Sequence, residues 1–63
     1  MALVKRGELL RRLKDLGVEF VREGGSHSVY KNPRTGQLLF VPRHTEIKEN
    51  LARGVLRDAE KGS

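Results

Sequence analysis

The stretch Val18–Pro42, VEFVREGGSHSVYKNPRTGQLLFVP, decides the fold. Three short runs rich in β-branched, aromatic and aliphatic residues, Val18–Arg22, His27–Lys31 and Gln37–Val41, are separated by two turn signals, Glu23-Gly24-Gly25 and Asn32-Pro33-Arg34-Thr35-Gly36. Connections this short join antiparallel neighbours, so the stretch predicts a three-stranded meander that stops at Pro42. Alternation puts His27, Val29 and Lys31 on one face of the middle strand and Ser28 and Tyr30 on the other. It also sets Leu38 and Phe40 opposite Leu39 and Val41, so one pair enters the core and the other is left toward solvent. Which face the helices cover is not readable from alternation alone.

On the N-terminal side, Leu9, Leu10, Leu13 and Leu16 recur at helical spacing among Lys5, Arg6, Arg11, Arg12, Lys14 and Asp15, which predicts a helix from about Lys5 to Leu16. Gly17 is placed as its left-handed stop. On the C-terminal side, Leu51, Val55, Leu56 and Ala59 form a second apolar stripe, with Asn50 as candidate N-cap and an end near Glu60 or Lys61. Thr45–Glu49 is an alternative earlier turn of that helix. Gly54 in its middle weakens it by about 1 kcal/mol relative to alanine, and reads either as a close-packing point or as a less stable helix. The order helix, three strands, helix predicts an α+β fold in two layers, one domain over residues 1–63.

A 63-residue chain leaves a large share of its surface exposed and has no room for a deep pocket, so its work is expected on a surface or shallow groove. Thirteen Lys and Arg against eight Asp and Glu give a net charge of +5, which favours polyanions: nucleic acid, an acidic protein or an anionic membrane. Absence of cysteine removes disulfides and thiolate metal sites and fits a reducing cytoplasm. His27 and His44 stand far apart in the sequence and make a poor metal set, so neither metal nor other cofactor is expected. No apolar run approaches a membrane span or a signal-peptide core, and the chain reads as a complete small soluble protein.

Histidine is the side chain whose ordinary pKa lets it take and give a proton near neutral pH. His27, held between a glycine turn and a β-type segment, is therefore the best group to act on a polyanion gathered by the cations. On composition alone, the ordinary reading of a histidine after a turn is a half-exposed residue satisfied by backbone.

Gly7-Glu8-Leu9-Leu10, Leu16-Gly17-Val18, Gly25-Ser26-His27 with Tyr30 beyond it, Asn32-Pro33 and Val41-Pro42-Arg43-His44 stand in the order and nearly the spacing of the HicA toxins, also called YcfA-like proteins. The chain resembles that family over roughly residues 5 to 59. It departs from it at Lys48-Glu49-Asn50-Leu51-Ala52, before the last helix, which leaves the start and length of that helix open. The resemblance implies a fold like that of double-stranded-RNA-binding domains, two helices on one side of a three-stranded antiparallel sheet. It further implies metal-independent endoribonuclease activity on messenger RNA, control by a HicB-type antitoxin, and a catalytic role for His27.

RNA carries its own nucleophile, the 2'-hydroxyl, so a base and an acid suffice for cleavage, and a positioned imidazole supplies about 10² to 10⁴ in rate. Candidate supporting groups are His44, Tyr30 and Lys31 for the second proton, Arg43 and Lys31 for charge developing on phosphorus, and Ser26 as a turn or phosphate-contacting hydroxyl. A histidine followed by Thr45 at a strand end is more often a surface or capping residue. Candidate RNA-binding cations are Lys5, Arg6, Arg22, Lys31, Arg34, Arg43, Lys48, Arg53 and Arg57, reading phosphates and 2'-hydroxyls more than base edges. An exposed Leu38–Phe40 pair would be a contact surface for an antitoxin, for a second copy of the chain in a homodimer, or for loop residues folded over it. The rival readings are a non-catalytic double-stranded-RNA-binding module of the same fold and a basic subunit that docks to an acidic partner.

Overall fold

Backbone hydrogen bonds sort the chain into β1 (Leu3–Lys5), α1 (Arg6–Asp15), β2 (Glu19–Glu23), β3 (His27–Lys31), β4 (Leu38–Pro42), β5 (Glu46–Lys48) and α2 (Glu49–Glu60). The computed structural model describes residues 2–62, so Met1 and Ser63, the two ends of the expected domain, lie outside it. The meander is present as an antiparallel sheet in the order β2-β3-β4, and with the two helices it makes an α+β fold of the double-stranded-RNA-binding-domain type.

The register settles the question of faces. Ser28 lies opposite Val41 and Tyr30 opposite Leu39, and these four face the helices; His27, Val29 and Lys31 lie opposite Pro42, Phe40 and Leu38 on the outer face. Leu39 and Val41 are buried, whereas Leu38 and Phe40 stay 46% and 51% exposed. A β-bulge between Phe20 and Arg22 on the edge strand β2 keeps Phe20 opposite Tyr30 on the inner side and brings Arg22 opposite Val29 on the outer side. Phe20 meets the Tyr30 ring edge-on with centroids 5.4 Å apart.

Leu9 and Leu13 of α1, Leu39 and Val41 of β4, Ile47, and Ala52, Val55 and Ala59 of α2 form the core, with Leu10, Leu16, Val18, Tyr30 and Leu56 packed around it. Fully burying a leucine contributes about 1.5–3 kcal/mol, so Leu9 and Leu13 alone anchor α1. The helix stops as expected: Gly17 has φ 82°, its N–H reaches the Lys14 carbonyl, and Val18 N–H returns to the Leu13 carbonyl, a Schellman arrangement.

The helix starts differ from the sequence reading. Asn50 is inside the first turn of α2 rather than its cap, and Thr45–Glu49 is not a helical turn, because Glu46–Lys48 is strand β5 paired antiparallel with β1. The N-cap residues are Lys5 and Lys48, both extended and neither capping with its side chain. The ladder does the capping instead: Arg6 N–H donates to the Thr45 carbonyl and Glu49 N–H to the Ala2 carbonyl, one helix start at each end of it. Gly54 meets nothing where a Cβ would stand, so of its two readings the close-packing one is overturned.

At the other end, the β3–β4 turn holds both helices. Asn32, wholly buried, donates from Nδ2 to the carbonyls of Asp58, Ala59 and Lys61, while its Oδ1 accepts from Arg34 N–H. The Arg34 guanidinium donates to the carbonyls of Ala59, Lys61 and Leu16. These are the carbonyls that helix ends leave without an intrahelical partner.

Candidate functional site

Between β2 and β3 the chain reverses over Gly24-Gly25-Ser26, closed by Gly24 N–H donating to the His27 carbonyl at 2.7 Å. A Cβ on Gly24 would stand 3.0 Å from that carbonyl oxygen, so glycine is what lets the two strands close here. Gly25 has open space at the same position. The turn presents His27 at the start of β3, exposed and on the face away from the helices.

The imidazole has one protein partner, Ser26 Oγ, 3.0 Å from Nδ1. Its Nε2 has no protein hydrogen bond among the described residues. A ring oriented through one nitrogen with the other open to an incoming group suits proton transfer at Nε2.

Behind His27 lies a polar relay. Arg6 donates from Nε to the Pro42 carbonyl at 2.9 Å and from its NH2 nitrogen to Ser28 Oγ at 2.6 Å. Ser28, wholly buried, donates to Glu23 Oε1 at 2.8 Å. Glu23 in turn lies 3.7 Å from the NH1 nitrogen of Arg43, whose NH2 nitrogen donates to the Gly24 carbonyl at 2.7 Å and also to the Gly25 carbonyl. Glu23 and Ser28 have no place among the site residues read from sequence, although a carboxylate and a hydroxyl flanking a tight turn are cross-strand neighbours by register.

Lys5, Arg6, Arg11 and Arg43, with Gly7, Glu8 and Thr45, line an open groove at the start of α1, beside the glycine turn that Arg43 holds. The groove carries four cations against one carboxylate and is joined to the His27 turn through Arg43. Arg22 is exposed on the outer face opposite Val29, and the same face carries Leu38 and Phe40. His44 follows Arg43 at the His27 end of the sheet, exposed and without a side-chain hydrogen bond among the described residues.

Other candidates are not gathered there. Tyr30 turns to the core side, and Lys31, though on the His27 face, is four residues along the strand, ~13 Å away. Arg34 is engaged with helix-end carbonyls. Lys48 is exposed at the start of α2; Arg53 pairs with Glu49 at 3.5 Å and, with Arg12 and Arg57, borders a groove between the helices. No cluster of three or more metal-ligating side chains occurs among the described residues, and no helix is long and apolar enough to cross a membrane.

The family model described as HicA toxin of bacterial toxin-antitoxin matches residues 6–60. No match was found among curated proteins or solved structures.

Proposed function

This chain belongs to the HicA toxin family of bacterial toxin-antitoxin systems, and we propose that it is a metal-independent endoribonuclease acting on messenger RNA in the cytoplasm, with His27 as the proton carrier. The observation that carries the reading is the His27 ring, exposed on a glycine turn that is clamped by Arg43, a residue that also lines a basic groove with Lys5, Arg6 and Arg11.

In this reading Lys5 and Arg11 of the groove, with Arg22, hold the RNA backbone, and a 2'-hydroxyl is brought to Nε2. With Nδ1–H donated to Ser26 Oγ, the Nε2 lone pair accepts the 2'-hydroxyl proton as O2' bonds to phosphorus. The P–O5' bond breaks, and the proton leaves Nε2 for the departing 5'-oxygen. The products are a 2',3'-cyclic phosphate and a 5'-hydroxyl, and the imidazole returns to its starting state. His44, at the same end of the sheet, is the candidate second carrier.

The inhibitory partner in this reading is a HicB-type antitoxin. Phe40 and Leu38 share the outer face with His27, so a protein seated on that pair would also screen the imidazole from RNA.

Single-turnover cleavage of an RNA by His27→Ala tests the assignment. The expected result is a loss of about 10² to 10⁴ in rate, with RNA affinity retained and wild-type cleavage unaffected by a chelator. Near wild-type rates would remove His27 from the chemistry, and RNA retention without any cleavage by the wild type would select the non-catalytic binding module.

A further inference from the structure

We propose that Arg43 is a positioning residue for His27, fixing the glycine turn through a relay of Glu23, Ser28 and Arg6, rather than a phosphate contact. The inference rests on the reading of His27 as the proton carrier and adds to it the means by which an exposed ring is kept in one place.

Two adjacent glycines are the least restrained backbone a turn can have, and their order must come from outside their own side chains. Here the Gly24 N–H bond to the His27 carbonyl closes the turn, and one guanidinium holds its two remaining carbonyls. Arg43 spans the Gly24 and Gly25 carbonyls with one terminal nitrogen and faces Glu23 with the other. A planar fork suits this bridging, and a lysine ammonium at the same place lacks it.

The relay continues inward. Glu23 is held by the hydroxyl of the buried Ser28, and Ser28 by Arg6, whose Nε also takes the Pro42 carbonyl. Ser28 follows His27 in the chain, Pro42 lies opposite it across the ladder, and Gly25 precedes it by two residues. The backbone on three sides of the histidine is thus tied to the first residue of α1. An arginine reserved for phosphate would be expected to turn its terminal nitrogens to solvent, whereas both of these face protein acceptors.

Glu23 separates the two roles. If Arg43 were a phosphate contact restrained by Glu23, then Glu23→Ala would free it, tighten RNA binding and leave the maximal rate intact. If Arg43 positions the turn, Glu23→Ala and Arg43→Ala both lower the single-turnover rate at saturating protein.

The test measures that rate, the half-saturating protein concentration and the salt dependence of binding for wild type, Arg43→Ala, Arg43→Lys, Glu23→Ala, Glu23→Gln and, alongside, His27→Ala. Expected are a rate loss on the order of tenfold in both alanine variants, half-saturation within about twofold, and an unchanged salt slope. Glu23→Gln keeps an acceptor for Ser28 and should recover part of the rate, while Arg43→Lys should not. Amide order parameters at Gly24 and Gly25, read in the His27→Ala background of each alanine variant, should fall from about 0.85 to below about 0.6.

A salt slope reduced by about one in Arg43→Ala with its maximal rate preserved would instead make Arg43 a phosphate contact and overturn the proposal. So would unchanged order parameters at the two glycines. Full cleavage by His27→Ala would bring down the His27 reading itself. Loss of cleavage in His27→Ala with undiminished rates in the Glu23 and Arg43 variants would bring down the positioning role alone.

Discussion

The two turns that flank β3 do the same topological work with opposite use of their polar side chains. The Asn32–Gln37 turn directs them at the helices: buried Asn32 and exposed Arg34 together take carbonyls from both helix ends, and Gly36 completes the reversal at φ 79°. The Gly24-Gly25-Ser26 turn leaves Ser26 and His27 outward with only each other as side-chain partners, and is held by a guanidinium reaching in from the end of β4. One turn is built to keep the helices on the sheet and the other to keep a ring at the surface. The contrast lies in where the hydrogen-bonding capacity goes, since both turns are short and punctuated by glycine.

The sharpest way to break this contrast is to exchange function for stability at each turn. His27→Ala should remove about 10² to 10⁴ of the cleavage rate while moving the melting temperature by no more than about 3 °C, because the side chain is exposed and holds nothing but Ser26. Asn32→Ala should do the reverse. It removes three partly to fully buried hydrogen bonds to carbonyls at the end of α2, two of which Arg34 still reaches, a loss of about 2–3 kcal/mol. For a domain of this size that is a large part of the total stability and lowers the melting temperature by roughly 10–20 °C. Cleavage per folded molecule, measured below the transition, should stay within about twofold of wild type. Thermal denaturation and single-turnover assays on the same two proteins check both halves, and a large melting shift in His27→Ala would erase the distinction.

A smaller effect sharpens the account of the His27 turn itself. Gly24→Ala forces a Cβ to within 3.0 Å of the His27 carbonyl oxygen, whereas Gly25→Ala adds a methyl into open space. Displacement of a proton carrier by a fraction of an ångström lowers the rate on the order of tenfold, so Gly24→Ala should be slow and Gly25→Ala close to wild type. Equal rates in the two variants would show that the turn's geometry does not govern the chemistry.

These contrasts were unevenly legible in the sequence. Strand β3 is bounded by Gly24-Gly25 and Asn32-Pro33, so its limits and its alternation were readable, and so was the burial of one of the pairs Leu39–Val41 and Leu38–Phe40. Strands β1 and β5 were not, because Leu3–Lys5 and Glu46–Lys48 are three residues each, run directly into helices and are defined only by pairing across the length of the chain. That hidden ladder is also why the helix starts lack the Ser, Thr, Asp or Asn caps that a sequence reading looks for. At the site, His27 stood out through its chemistry and its surrounding motif. The roles of Arg34 and Arg43 did not, because composition reports a guanidinium's charge and says nothing of its partners. Register and turn geometry set those partners, and at Arg34 they are helix-end carbonyls.

The smallest effect probes what the Asn32 turn holds. Gly54 lies in the middle of α2 with nothing in the space a Cβ would fill, and its φ is not in the left-handed region, so alanine fits without strain. Replacing a helical glycine by alanine contributes about 1 kcal/mol, which in a domain of this size raises the melting temperature by roughly 4–8 °C. Introduced into the Asn32→Ala protein, Gly54→Ala should restore about that much of the lost stability, because both substitutions act on the same helix, one on its interior and one on its end. The cleavage rate per folded molecule should not change in either background. If Gly54→Ala stabilises the wild type but fails to rescue Asn32→Ala, then losing the helix-directed turn frees α2 from the sheet, and the turn governs docking of the helix rather than the capping of its last carbonyls.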